Sequence, residues 1–205
     1  MLIPLFPLES GLFPGGLISL RIFEVRYLNM IKQVIKEKSS FGVVMLSKGD
    51  EVRKPGVSEE LMRVGTIAKI SEINTLQPAL ILIRCVGQTR FRLTDCFRGK
   101  YGLWSGNIEL IDDDKVAEIP KSLESIANAL GKIIFSMQKS GVPQDQMPIL
   151  PPFRLDECGW VANRWAELLS LNLELKQSLL EENCPNNRLE KISKVLTNSG
   201  GNFEC

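Results

Sequence analysis

Histidine is absent from all 205 residues of the chain. This absence excludes Ser-His-Asp and Cys-His catalysis, the HExxH zinc site and acid–base chemistry by imidazole. A Ser–Lys dyad needs no histidine, and Ser47 with Lys48 and Lys139 with Ser140 supply the residue types. Sequence neighbours on a helix do not face each other, and no strained nucleophile turn marks either pair. We therefore interpret both as solvated surface pairs.

The sequence also contains no motif typical of phosphate binding and no carboxylate pair typical of acid–base catalysis. No G-x-x-x-x-G-K-[ST] loop occurs, and the glycine cluster between Gly11 and Gly16 has no lysine that would reach a phosphate. The acidic residues at 112–114 and 181–182 have no apolar neighbours that would raise a carboxyl pKa. The sequence therefore predicts a protein that is not an enzyme, with no cofactor and no metal site.

A basic stretch is the candidate for nucleic-acid binding. Aromatic residues interleave with basic ones, as in a stacking and phosphate-binding platform. We favour a strand with a polar outer face, because the aromatic residues fall on the opposite parity from Arg90 and Arg92. The overall charge is also nearly balanced, with 25 basic and 24 acidic residues. The residues of the nucleic-acid alternative are Arg90, Arg92, Arg98 and Lys100.

The first thirty residues hold charges beside large apolar side chains. Charged groups in such a setting are usually paired, which predicts a structural clamp of Arg21, Glu24 and Arg26 between a strand and a helix. The functional alternative is a groove beside exposed aromatic residues that accepts apolar peptide segments. The candidate peptide-binding residues are Phe13, Phe23, Tyr27, Lys48 and Val52.

The elements that must position these residues change in type along the chain. Residues 1–111 show short apolar or alternating runs joined by turns, which favour a barrel or sandwich of strands. One helical stripe, over 23–36, interrupts them. A charged break at 112–115 precedes four helical segments, over 122–141, 156–171, 173–182 and after Pro185. We predict domains over 1–115 and 116–205.

Composition indicates an ordinary globular protein. Hydrophobic residues make up 44% of the chain and charged residues 24%. The five cysteines are odd in number and form no CxxC motif, which favours a reducing cytoplasm. Prolines break the apolar N-terminus and no apolar run is long enough to span a bilayer, so we expect neither a signal peptide nor a membrane partner.

The opening of the chain resembles the Lon protease N-terminal domain family. The segments that carry the resemblance are Ile3-Pro-Leu-Phe-Pro-Leu8, the Phe13-Pro-Gly turn and Leu20-Arg-Ile-Phe-Glu-Val-Arg-Tyr27. The likeness continues through Phe41-Gly-Val-Val44, Val64-Gly-Thr-Ile-Ala68 and Gly87-Gln-Thr-Arg-Phe-Arg92, and Arg164-Trp-Ala-Glu-Leu-Leu169 is similar to the helical part of stand-alone members. The loop over 47–60 departs from the family pattern, and we expect it to gate or shape a groove.

The resemblance implies an α+β fold, with a PUA-like β pseudo-barrel containing one helix, followed by a C-terminal α-helical bundle. It implies a stand-alone bacterial member without the ATPase and peptidase domains. Such a module would bind unfolded or apolar peptide segments or a protein partner, as an adaptor in proteolysis or protein quality control. PUA-like barrels elsewhere hold RNA, so the RNA-binding face stays the alternative, although nucleic acid is not the expected partner. Formation of a homo-oligomer is left open.

Overall fold

The computed structural model describes residues 1–52, 58–77, 79–143 and 146–198. The chain divides into two compact units, Met1–Asp113 and Asp114–Cys205. Across the described residues, six strands and one α-helix lie in the first unit and four α-helices in the second, which confirms the mixed α+β class. The predicted boundary after residue 115 lies close to this division, and the assignment of two domains stays a prediction.

The strands of the first unit form one six-stranded sheet with the order β2-β5-β4-β3-β1-β6. An additional pairing of β5 with β6 closes a ring of strands, and β2 pairs with β5. Only β1 and β3 run parallel among the described pairs. The PUA-like character of this ring stays a prediction. The strands are β1 (Leu2–Leu8), β2 (Leu17–Ile22), β3 (Phe41–Lys48), β4 (Glu60–Gln77), β5 (Leu80–Arg98) and β6 (Trp104–Leu110).

The first strand contributes to two cores because its side chains alternate between the faces of the sheet. Leu5 packs in a cluster with Phe91 and Leu93. Phe6 belongs to the other cluster, on the side of helix α1 (Val25–Glu37). A strand that is covered on both faces needs apolar side chains at every position. This requirement explains why the block Ile3-Pro-Leu-Phe-Pro-Leu8 contains no polar residue.

Helix α1 confirms the predicted helical stripe. Its buried apolar residues Tyr27, Met30, Ile31 and Val34 follow the i, i+3, i+4 and i+7 spacing of one helical face. The helix ends at Glu37, and Lys38 caps it in a left-handed conformation with φ of 49°. The next amide, Ser39 N–H, donates to the Val34 carbonyl over 3.0 Å. This cap turns the chain directly into β3.

The second unit contains the helices α2 (Glu124–Lys139), α3 (Cys158–Leu168), α4 (Leu173–Glu181) and α5 (Pro185–Asn198). Helices α3 and α5 pack against each other. All four predicted helical segments are present, and Gly141, with φ of 72°, follows the end of α2. The bundle arrangement stays a prediction. No helix in the described ranges has the length and apolar character needed to cross a membrane.

Candidate functional site

A groove with a volume of about 700 Å³ opens in the first unit. Its volume falls within the range of about 300–1,000 Å³ that is usual for ligand-binding pockets. Most of its wall is apolar, and two of its apolar side chains, Leu2 and Leu110, keep 58% and 59% of their surface exposed. Its apolar lining includes Met1, Leu2, Pro4, Met30, Val34 and Leu110.

Helix α1 and the strands β1, β4, β5 and β6 build the groove, together with Ser39, Ser40 and Leu103 between them. The start of β1 and the end of β6 supply Leu2 and Leu110. Helix α1 supplies Met30, Gln33, Val34 and Glu37, which share one face because their spacing follows the helical repeat. The amphipathic helix therefore has two roles: its buried residues hold the core, and the C-terminal part of the same face forms one wall of the groove.

The groove carries little charge. Glu37 is the one charged side chain among the described residues that line it, and its Oε1 accepts a hydrogen bond from Gln33 Nε2 over 3.0 Å. No lysine or arginine among them faces a negatively charged ligand. Uncharged polar side chains also line it, namely Gln33, Ser39, Ser40, Gln88, Thr89 and Ser105. The groove therefore suits apolar ligands with some polar groups better than anions, because no basic side chain is present to pair with an anion.

Two of the predicted peptide-binding residues are buried, so the expectation that they form an exposed surface is wrong. Phe13 is 1% exposed and Tyr27 is 3% exposed. The Tyr27 ring stacks on Phe6 with 4.1 Å between centroids, and burial raises the pKa of its hydroxyl. Both aromatic residues therefore belong to the core of the first unit.

The turn after Phe13 explains its burial. Gly15 N–H donates to the Gly87 carbonyl over 2.8 Å, and Gly87 N–H donates to the Gly16 carbonyl over 2.9 Å. The two chains lie so close that a Cβ on Gly87 would overlap the Phe13 carbonyl oxygen. Thr66 Oγ1 adds a hydrogen bond of 2.6 Å to the carbonyl of Leu12. Backbone pairing therefore fixes this segment against β4 and β5.

The other three peptide-binding candidates are exposed but do not line the groove in the described structure. Phe23 and Val52 are 51% and 50% exposed, and Lys48 Nζ lies 3.4 Å from Glu60 Oε1 in a surface ion pair. The middle of the predicted gating loop, residues 53–57, lies outside the described residues. A peptide-binding role for these three side chains stays a prediction.

The predicted clamp uses Arg26 rather than Arg21. Arg26 is 4% exposed, and its Nε donates to Glu24 Oε2 over 3.0 Å. Arg21 is exposed, so its predicted part in the clamp is wrong. Side chains of a strand alternate between faces, and Leu20 and Ile22 take the inward positions on β2.

Sequence reasoning missed the residue on which this cluster converges. Glu59 is 7% exposed and accepts a hydrogen bond of 2.6 Å from Trp104 Nε1. Its carboxylate also lies 3.7 Å from Arg26 Nη1 and 3.4 Å from Arg98 Nη2. These partners are distant from Glu59 along the chain, so no local sequence motif identifies it. Its carboxylate must be paired because it is buried. We call Glu24, Arg26, Glu59, Arg98 and Trp104 the Glu59 cluster.

The four basic residues of the nucleic-acid alternative do not form one exposed face. Arg90 is 3% exposed, and its carbonyl accepts a hydrogen bond of 2.9 Å from Ile111 N–H, which continues the pairing of β5 with β6. Arg98 is held in the Glu59 cluster over the Trp104 ring, 4.6 Å from its centroid. Arg92 and Lys100 are exposed. The expectation of a shared basic face is therefore wrong for Arg90.

The described residues contain no group of three His, Cys, Asp or Glu side chains that could hold a metal ion. Cysteines 85, 96, 158 and 184 are free thiols. Burial raises the pKa of the Cys85 thiol to about 12, and burial also raises the pKa of Cys158. A buried thiol with a raised pKa is a poor nucleophile, because the thiolate is the reactive form.

Comparisons with known proteins all lead to one protein family. The family model of the ATP-dependent protease La (LON) substrate-binding domain matches residues 2–198. The Lon protease of Anaeromyxobacter dehalogenans is 24% identical over 186 residues, which cover 87% of this chain and 21% of that protein. The Lon protease of Dictyoglomus thermophilum is 23% identical over 199 residues, covering 95% and 24%. The chain thus spans less than a quarter of the length of these curated relatives.

Solved structures agree with this assignment. The Lon N-terminal domain protein from Xanthomonas campestris superposes with a TM-score of 0.73 at 28% identity, over 95% of this chain and 98% of that one. The N-terminal domain of the Mycobacterium avium complex Lon protease gives a TM-score of 0.61 over 96% and 98%, and its 13% identity makes it a likeness of fold alone. With the family model spanning nearly all described residues, the chain belongs to the family of LON substrate-binding domains.

Proposed function

We propose that this chain is a non-catalytic module that binds unfolded, apolar polypeptide segments in the groove beside β1. The observation that carries the proposal is the apolar groove of about 700 Å³ in a chain that belongs to a substrate-binding family. The exposed side chains of Leu2 and Leu110 are available for burial by a guest. Burial of apolar surface contributes about 25 cal/mol per Å², which must exceed the entropic cost of association, and we expect a segment with several apolar side chains to bind with micromolar affinity.

The wider role that we propose is that of an adaptor in proteolysis or protein quality control, in the reducing cytoplasm. The free state of the described cysteines supports a reducing compartment. The match to Lon proteases covers only the substrate-binding part of those proteins, so we expect no peptide-bond cleavage by this chain. Casein incubated with the protein, with and without ATP, should stay intact.

A single substitution tests the groove. A fluorescently labelled apolar peptide should bind with at least micromolar affinity in a polarisation assay. Leu110→Glu should weaken binding at least tenfold, because it places a charge in the apolar wall where the guest would desolvate it. The matched control is Phe135→Glu, which changes an exposed apolar residue of the second unit (65% exposed) and should leave affinity unchanged.

Two results would contradict the groove proposal: no binding of any apolar peptide, or equal weakening by the two variants. A peptide affinity that falls steeply with salt would instead indicate charge-driven binding. The RNA alternative is not favoured, because Arg90 is buried and Arg98 is engaged with Glu59. A filter-binding assay across a salt series checks it, since phosphate contacts produce a steep salt dependence.

A further inference from the structure

The long hairpin of β4 and β5 extends beyond the strand that pairs with the outer side of β4. Among the described residues, β3 pairs with β4 only as far as Ala68, opposite Phe41, which is the first residue of β3. Beyond that point β4 continues to Gln77 and pairs with β5 alone. Strand β2 covers the far side of β5 through Leu17–Ile22. In this part of the sheet the order is thus β2-β5-β4, and β4 is the edge.

Hydrogen bonds at Gly87 show in which direction the backbone of β5 faces. Gly87 N–H donates to the Gly16 carbonyl, and the Gly87 carbonyl accepts from Gly15 N–H, so both groups point towards β2. The register between β2 and β5 has no shift, and the backbone groups of a strand alternate in direction. Leu82 and Arg84 therefore point their N–H and carbonyl groups to the other side, towards β4.

The same alternation identifies the backbone groups of β4 that face outwards. Asn74 lies opposite Leu82, so its N–H and carbonyl are used within the hairpin. Its neighbours Ile73 and Thr75, which are in the same unshifted register, turn their backbone groups to the outside. No strand within the described ranges lies there, so two N–H groups and two carbonyls face solvent along one edge.

The side chains of this edge lack the features that usually protect a free strand. Natural edge strands tend to carry lysine, proline or an inward-pointing charge. Residues 70–77, which we call the β4 edge, include neither lysine nor proline, and their one charge, Glu72, lies 3.6 Å from Arg84 Nη1. All residues over 71–77 are exposed, and Ile73 and Leu76 keep 46% and 51% of their surface. The edge is therefore neutral, partly apolar and accessible.

We propose that the β4 edge pairs with the β4 edge of a second copy of this chain, antiparallel and about a two-fold axis at Asn74. The axis places Ile73 opposite Thr75 of the partner subunit, and the reverse pair forms by symmetry. Hydrogen-bonded pairs of an antiparallel ladder exchange both bonds, so this register uses every outward N–H and carbonyl of the two residues. The result is a closed dimer in which the sheets of the two subunits continue into each other.

Charge and side-chain shape favour a copy of the same chain as the occupant. A two-fold interface must be complementary to itself, and like charges directly opposite each other would destabilise it. In this register Glu72 faces Leu76 of the partner subunit, so its charge meets no like charge. The β-branched side chains of Ile73 and Thr75 lie on one face and form cross-strand pairs of the kind that stabilise sheets. None of the described residues over 70–77 lines the groove, so the dimer interface and the groove are separate surfaces.

Sedimentation equilibrium over a concentration series tests the dimer. The wild type should show a monomer–dimer equilibrium. Thr75→Pro removes the outward N–H and should weaken the dimer roughly tenfold or more, because two hydrogen bonds per dimer are lost. The matched control Thr75→Val keeps this N–H and a β-branched side chain, and it should dimerise like the wild type. Equal melting temperatures at a concentration where all three are monomeric show that the variants are folded.

A cysteine cross-link tests the position of the axis without any proline. Asn74 would face its own copy in a non-hydrogen-bonded pair, with Cα atoms about 4.5 Å apart, which a disulfide can span. In protein with Cys96, Cys184 and Cys205 replaced by Ser, Asn74→Cys should give a covalent dimer under mild oxidation. Glu72→Cys is the control, because the two copies of this position would lie about 13 Å apart along the strands.

A dimer that Thr75→Pro weakens and Thr75→Val does not, with a cross-link at position 74 and none at position 72, supports the pairing. A monomer at every concentration overturns it. A dimer that Thr75→Pro leaves intact also overturns it, as does a missing cross-link at position 74 or equal cross-linking at both positions.

Discussion

Each unit of the molecule buries an arginine among carboxylates, but the two clusters are organised differently. In the second unit Arg188 is fully buried, and each of its five N–H donors has an acceptor. Its Nε donates to the Leu179 carbonyl over 3.0 Å and its Nη1 to Asn163 Oδ1 over 3.0 Å. Nη1 and Nη2 also bind both carboxylate oxygens of Asp114, and Nη2 binds the Glu182 carbonyl. We call Arg188, Asp114, Asn163 and the carbonyls of Leu179 and Glu182 the Arg188 cluster, and a guanidinium is its centre.

In the first unit the centre is a carboxylate. Glu59 gathers Arg26, Arg98 and Trp104, and its contacts to the two arginines, 3.7 Å and 3.4 Å, are longer than those of Arg188. Arg26 has further partners in Glu24 and the Gly102 carbonyl. The buried charge of the second unit thus centres on one saturated side chain, whereas the first unit distributes its buried charge over several partners.

The largest effect is expected from Arg188→Leu. Removal of the guanidinium leaves Asp114 and two backbone carbonyls without their buried donor, which should cost about 3–5 kcal/mol of unfolding free energy. The buried thiols Cys158 and Cys85 report on the second and first units separately. In protein with exposed Cys184 replaced by Ser, Arg188→Leu should accelerate labelling of Cys158 far more than that of Cys85.

Lys191→Ala is the control for this substitution. It removes an exposed ion pair, in which Lys191 Nζ lies 2.9 Å from Glu182 Oε2, and should cost no more than about 1 kcal/mol. Equal labelling rates for the two variants would show that the Arg188 cluster is not the main support of the second unit.

Glu59→Ala should have an intermediate effect and lower the free energy of unfolding by about 2–3 kcal/mol. The substitution leaves Trp104 Nε1 without its acceptor and weakens the pairing of Arg26. Arg26 keeps Glu24, so the loss is smaller than for Arg188→Leu. The measurement is the labelling of Cys85, whose pKa of about 12 keeps the folded thiol unreactive. Glu59→Gln, which retains an oxygen acceptor, should recover part of the loss. If Glu59→Ala lowered the free energy of unfolding more than Arg188→Leu does, the Glu59 cluster would be the more important of the two for stability.

The smallest effect concerns acid stability at the edge of the Arg188 cluster. Hydrogen bonds from Lys191 and the Cys184 N–H hold the pKa of the Glu182 carboxyl below its ordinary value of 4.5. A lowered pKa in the folded state means that this carboxylate stabilises the protein above pH 4.5 and that the contribution is lost as pH falls through the lowered value. Urea unfolding, followed by tryptophan fluorescence, should therefore show Glu182→Gln less stable than the wild type at pH 6. The difference should shrink towards pH 3; a constant difference would exclude the pKa shift as its cause.

Much of the local structure could be predicted from the residues. The apolar stripe of Tyr27, Ile31 and Val34 predicts α1, and the alternation around Phe91 and Leu93 predicts the inward face of β5, where both are buried. These predictions succeed because helical and strand repeats are set by backbone geometry, within a few residues of each position. The family resemblance likewise depends on contiguous segments, such as the block that became β1.

Tertiary structure decided which side chains are accessible and which charges are paired. Phe13 and Arg90 are ordinary surface candidates by sequence, but both are buried in the folded chain, and the Gly15–Gly87 pairing holds the segment that carries Phe13. Glu59 and Arg188 acquire their roles from partners remote in sequence, which only folding brings within hydrogen-bonding distance. The sequence by itself therefore determined the elements and the family, whereas the groove and the pairing of buried charges are products of how the strands and helix α1 pack together.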